Sequence, residues 1–213
     1  MEKGMLLSTD MVRATLDGRK KMTRRMNGLN KINELPEEWT LESFDKNQKG
    51  TLIATFLWRG NQKIRREIRC PWEPGDILWF RETWTEIDGE IFYRADGYPE
   101  IELRDRFEQP KNKKVKWKPS LFMPRSAARL FGDIQNIRIE RLHDITASDI
   151  IAEGTPYDRE IYEMPCNIEN AGDTYLRGCF LRLWDGINAQ RGYGWRVNPW
   201  VWVIEYEEAE DYA

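Results

Sequence analysis

The chain has 213 residues, 40% hydrophobic and 32% charged, with a net charge of −3. That length supports one well-buried core with room for an insertion, and no apolar run reaches the roughly 18 residues that a membrane helix needs. Cys70, Cys166 and Cys179 lack CxxC spacing and His143 is the single histidine, so neither a metal site nor a disulfide framework is expected; with no signal-peptide-like apolar stretch in MEKGMLLSTDM, a cytoplasmic protein is the expectation.

In chain order, LSTDMVRATLDG reads as a helix. Ser8, Thr9 or Asp10 can cap it, Met11, Val12 and Leu16 give it an apolar side, and Gly18 can stop it. From Asn27 to about Gln48 the chain is polar without a firm period, which reads as a long loop or insertion. TLIATFLW and QKIRREIRC are strands joined by RGNQ. CPWEPGDILWFRETWTEI is a strand after a Pro74-Gly75-Asp76 turn, and GEIFYRAD follows through Asp88-Gly89, a strong hairpin signal. Residues 97–119 are polar and irregular, a second loop. MPRSAARLFG reads as a short helix and IQNIRIERL as a strand. DITASDIIAEG reads as a helix with Thr146 or Ser148 near its start and Gly154 at its end. TYLRGCFLRLWDGINAQRG is an amphipathic helix with Phe180, Leu183, Trp184 and Ile187 on one side. NPWVWVIEYEEA is a final strand before an acidic tail. Strands outnumber helices, which predicts a small twisted β-barrel flanked by helices. Most of the ten tryptophans belong in a core, and a few could serve as platforms for a base.

The stretch DGRKKMTRR, Asp17 to Arg25, carries five cations in nine positions. Three readings are open. Cations after a helix end complement its dipole and need do nothing more. Arg13, Arg19, Lys20, Lys21, Arg24 and Arg25 together form a positive patch suited to phosphate. Alternatively, a lysine among cations loses its proton more readily, so with the Thr23 hydroxyl and one carboxylate it becomes a reactive amine.

Gly18-x-Lys20-x-x-Thr23-x-Arg25 resembles the signature GxKxxExR of the ASCH domain family, with Thr23 where the family usually has Glu. That family has a PUA-like β-barrel and is linked to RNA. The threonine form resembles that of a small bacterial ASCH amidohydrolase acting on N4-acetylcytidine. The likeness extends to EPGDILWF, to RIERLHDITASDIIAEG, where Glu153 takes the position of the catalytic Glu, and to WVWVIEY. CPWEPGDILWFRETW, YRAD, MPRSAARL, LWDGIN and NPWVWVIEY resemble larger ASCH proteins of phages and prophages.

The resemblance implies an α+β fold: a single PUA-like (ASCH) domain over 1–213, a small β-barrel with flanking helices and insertions near 27–70 and 97–120. It implies Lys20 as nucleophile on the acetyl carbonyl or as activator of water, Thr23 assisting its deprotonation, and Glu153 orienting the pair. Arg25, with Arg24 beside it, would assist the substrate or the developing charge. On a regular strand Lys20 and Thr23 point to opposite faces, so a bend after Gly18 is required.

Other residues have two readings each. Arg81, Glu82 and Trp84 of FRETW form either an ion pair beside a core tryptophan or a site where a base stacks on Trp84. Arg94 and Arg125 are phosphate ligands or surface charges, and His143 is expected to be structural. No glycine-rich phosphate loop is present, and no cofactor or metal is expected. The expected partner is a modified nucleoside or RNA. The expected function is amide hydrolysis on N4-acetylcytidine or a related nucleoside. The alternative is an RNA or modified-nucleotide binding module, with a ribonuclease as a third possibility.

Overall fold

The computed structural model describes residues 1–87, 89–97, 115–163 and 170–209. In chain order its elements are β1 (Glu2–Leu6), α1 (Thr9–Leu16), β2 (Met22–Arg25), α2 (Asn30–Asn33), β3 (Trp39–Lys46), β4 (Leu52–Trp58), β5 (Asn61–Arg69), β6 (Ile77–Arg81), β7 (Trp84–Ile87), β8 (Glu90–Tyr93), β9 (Phe131–Arg141), α3 (Ala147–Ala152), α4 (Arg159–Glu163), α5 (Ala171–Asn188) and β10 (Trp200–Glu208). The fold is mixed α+β, with more strand than helix. Among the described residues no helix is long and apolar enough to cross a membrane.

A five-stranded sheet in the order β1-β6-β9-β10-β2 is central, and β3-β4-β5 forms a separate antiparallel meander. The alternation of β10 decides the layering. Trp202, Ile204 and Tyr206 pack with Met11 and Val12 of α1 and with Trp39, Ala54 and Phe56 of the meander. Val201 and Val203 face the other way, onto Ile150 of α3 and Leu176, Phe180 and Trp184 of α5. The sheet is thus buried on both faces, which is why WVWVI is an unbroken apolar run. Trp202 is fully buried and its Nε1 donates to the Asn27 carbonyl at 2.8 Å, so its one polar atom is satisfied.

The expected barrel does not close. β1 and β2 are the two outer strands and share no ladder. Their edges are bridged by the Arg25 guanidinium, which donates to the Leu6 carbonyl at 3.0 Å.

Several segments differ from expectation. The polar stretch after Asn27 contains α2 and β3. In β3 the register with β4 shifts between Leu41 and Ser43, so Trp39, Leu41 and Phe44 do not keep the period of two that marks a strand. FRETWTEI is not one strand: β6 ends at Arg81, and β7 starts at Trp84 after Glu82 turns inward. MPRSAARLFG holds a single 3₁₀ turn, Arg125–Ala127, instead of a helix. Its backbone serves neighbours: the Ala127 carbonyl accepts from the Tyr93 hydroxyl at 2.8 Å, and the Leu130 carbonyl from the Phe80 N–H at 3.0 Å. β7 and β8 pair as a hairpin with Gly89 at φ 83°, while Asp88 lies outside the described residues. So do 98–114 of the second loop, Cys166 and 210–213 of the tail.

Candidate functional site

Ser8 caps α1, its hydroxyl accepting the Met11 N–H at 3.4 Å, and Gly18 at φ 67° turns the chain away. Lys20 does not enter the β2 ladder. Its N–H donates to the Ala14 carbonyl at 2.9 Å, and the Lys21 N–H donates to Ala152, the end of α3, at 2.8 Å. Lys20 instead forms an isolated antiparallel bridge with Glu153. This is the bend the motif requires, and it lets Lys20 and Thr23 line one cleft.

Glu153 follows α3, whose start is fixed by a capping box between Thr146 and Asp149. Gly154 then adopts φ 72°, where a Cβ would lie 2.8 Å from the Cβ atoms of both Ala14 and Lys20. Gly154→Ala is therefore expected to cost about 2 kcal/mol, from left-handed backbone strain plus overpacking. A urea midpoint lowered at unchanged m-value checks it.

The Lys20 ammonium donates to the Met22 carbonyl at 2.7 Å, the Glu153 carbonyl at 2.8 Å and Glu153 Oε2 at 3.1 Å. Three acceptors match three N–H donors, an arrangement that suits the charged amine. Against this, burial lowers the Lys20 pKa from the ordinary lysine range; Glu153 opposes the shift, and Arg25 and Arg24 add to it. The net direction is downward, because the amine is buried and two further cations flank it.

Glu153 Oε1 accepts from Arg24 at 3.1 Å. The other terminal nitrogen of Arg24 reaches Glu140 at 2.6 Å and Asp149 at 2.8 Å. Arg138 binds the same Glu140 and Asp149, at 3.0 and 2.9 Å, and also Glu205. Arg24 is 3% exposed, so these are desolvated charges held by one another. Burial alone would raise the Asp149 pKa, but Arg24 and Arg138 outweigh it and hold this carboxyl below the usual aspartate range.

The cleft has a volume of about 770 Å³ and lies where the edges of β1 and β2 face each other. Its walls are Gly4–Leu7, Thr23–Met26 and, from α5, Phe180, Leu183, Trp184, Ile187 and Asn188, with Lys20 and Glu153 between them. Ile187, expected on the apolar side of α5, is 54% exposed and borders this opening. The volume is in the range of small-molecule sites. The Thr23 hydroxyl makes no hydrogen bond to a described residue. Arg25 has no carboxylate partner among the described residues; it donates to the carbonyls of Leu6 at 3.0 Å and Arg24 at 3.4 Å.

Lys20, Thr23, Arg24, Arg25 and Glu153 are thus brought together. Arg81, Glu82, Trp84, Arg94 and Arg125 do not line this cleft. Arg81 lies over Trp79, 5.2 Å from the ring centre, and donates to the Leu121 carbonyl. Glu82 is buried in a two-point pair with Arg129 at 2.9 and 3.1 Å, and burial raises its pKa. Trp84 is buried against Met123 and Ala127 with Lys118 4.2 Å above its ring. Arg94 lies over Trp117, and Arg125 pairs with Glu2 at 2.8 and 3.0 Å. His143 is a packing residue: its Nε2 meets the Trp195 carbonyl at 2.8 Å and its ring packs on Trp195. The Cys70 thiol is buried and pushed up to about 11, which leaves it unreactive near neutrality.

Sequence reasoning missed Glu140, Asp149 and Arg138. Arg138 and Glu140 two apart in RIER, on one face of a strand, were the available signal. No protein-family model, curated protein or solved structure matches the chain.

Proposed function

We propose that the chain is an ASCH-type domain with a PUA-like, incompletely closed sheet, and that it hydrolyses N4-acetylcytidine or a related acylated nucleoside in the cleft. The observation that carries this reading is the buried Lys20–Glu153 pair, which shares the wall of a cleft of about 770 Å³ with Thr23. A buried lysine whose pKa is lowered is a source of neutral amine. In the proposed step neutral Lys20 takes a proton from water through Thr23, and the water oxygen adds to the acyl carbon. Arg25 faces the oxygen that gains charge. The C–N bond then breaks and the departing N4 takes the proton from Lys20, which releases cytidine and acetic acid, the latter losing its proton to solvent as acetate. Glu153 holds Lys20 in place and is itself held by Arg24.

The alternative of an open basic groove at DGRKKMTRR is less well supported. Arg19 is paired with Asp17, Lys20 with Glu153, and Arg24 with three carboxylates. These cations are not free for phosphate.

The purified protein is expected to release cytidine from N4-acetylcytidine, followed by chromatography, and Thr23→Val to be slower by about 10–100-fold at unchanged melting temperature. Absence of turnover on N4-acylated cytidines by a folded wild-type protein would refute the reading.

A further inference from the structure

A run of cations outside the cleft lies on the meander. Arg59 to Arg69, RGNQKIRREIR, has five cations against one acid, in a chain of net charge −3. β5 is an outer strand of its sheet. Arg65 and Arg69 pair with Leu57 and Ile53 of β4, alternating with Phe56 and Ala54, which face the core. They therefore project from the outer face. Arg59 sits in the β4–β5 turn, and Lys63 lies where the ladder shifts register. All four are exposed, and Arg65 is paired with Glu42. Among the described residues Lys63 and Arg69 have no carboxylate partner, while Arg59 donates to the Thr40 hydroxyl at 3.1 Å and acts on the nearby Glu37 carboxylate.

This strand leads to the cleft. Gly28 lines the cleft, and a Cβ placed on it would lie 3.7 Å from Ile68 Cγ2 and 4.0 Å from the Arg69 carbonyl oxygen. The C-terminal end of β5 is therefore at the cleft rim, and the free cations extend away from it along the meander.

We propose that the β5 edge carries the sugar–phosphate backbone of a single-stranded nucleic acid whose modified base enters the cleft. This rests on reading the cleft as a base site, and it makes the substrate a nucleotide within a strand. Unpaired cations at one sheet edge suit a polyanion rather than a single phosphate. A single strand fits because its base is already unpaired, whereas a duplex would have to extrude one.

The test is fluorescence anisotropy with a labelled, unmodified single-stranded RNA of about 12 nucleotides, across a salt series. Wild type is expected to bind with affinity falling as salt rises. The Lys63→Glu/Arg69→Glu double variant is expected to bind at least about 10-fold more weakly, with a shallower salt slope. Arg159→Glu/Arg196→Glu makes the same change in net charge on the helical face and is expected to bind nearly as wild type. Equal loss in both double variants, no loss in either, or preference for a duplex overturns the proposal. If wild type hydrolyses the free nucleoside but binds no strand, the rail fails and the cleft reading survives. If the Lys63/Arg69 variant alone loses binding and no acylated cytidine is hydrolysed, the hydrolase fails and the rail stands as a binding surface.

Discussion

Arg24→Met is expected to destabilise the protein by about 3–5 kcal/mol, because it leaves buried carboxylates without their shared counter-charge. Arg24 is in contact with Glu153, Glu140 and Asp149, and its side chain is 1% exposed. Methionine fills similar volume, so the loss comes from charge and not from a cavity. Arg24→Lys is expected to recover only part of this, since one ammonium cannot span three carboxylates as a planar guanidinium does. The pH dependence has a definite sign. Asp149 is held below its ordinary value, so its contribution is complete above the unfolded aspartate pKa of about 3.9 and is lost as pH falls through the lower folded value. In Arg24→Met that value moves upward, so acid sensitivity sets in at higher pH. Urea midpoints at about pH 7 and about pH 4 check both statements. Equal midpoints for the variant and wild type at the higher pH would show that the network contributes nothing to stability.

Much of the fold was legible because its signals are local. α1, α3 and α5 carry caps or a 3.6-residue period, and β9 and β10 are long strands of branched and aromatic residues. The β4–β5 hairpin was legible from its turn. β3 was hidden by its bulge, which breaks the alternation between Leu41 and Phe44. The run at FRETW was read as continuous because nothing local marks Glu82 as an inward turn toward Arg129, 47 positions away. The same distance effect limited the site. Lys20, Thr23 and Glu153 were grouped by a motif resemblance, whereas the function of Arg24 depends on acids 116 to 129 residues later. Arg81, Arg94 and Arg125 share the composition of ligand-binding arginines, but each is engaged locally by an aromatic ring. Composition cannot distinguish an arginine packed on a tryptophan from one facing a phosphate.

Glu153→Gln is expected to lower kcat/KM on N4-acetylcytidine by about 10²–10⁴-fold and to move the acidic limb of its pH profile to lower pH. The two effects have separate causes. Both carboxylate oxygens of Glu153 accept from cations, Oε2 from Lys20 and Oε1 from Arg24. Glutamine offers one acceptor oxygen, so its NH₂ group must face one of those cations. The Lys20 amine then loses its fixed position, and the rate falls. The limb moves because Glu153 is the group that opposes the downward shift of Lys20. Without that charge, burial and the Arg25 and Arg24 cations act unopposed, and neutral amine persists to lower pH. A glutamate that served only to anchor the fold would change stability and leave the limb in place. The profile, measured on a variant whose melting temperature confirms folding, therefore separates positioning of a reacting lysine from structural support. A limb that does not move, or that moves upward, would remove Lys20 as the titrating group.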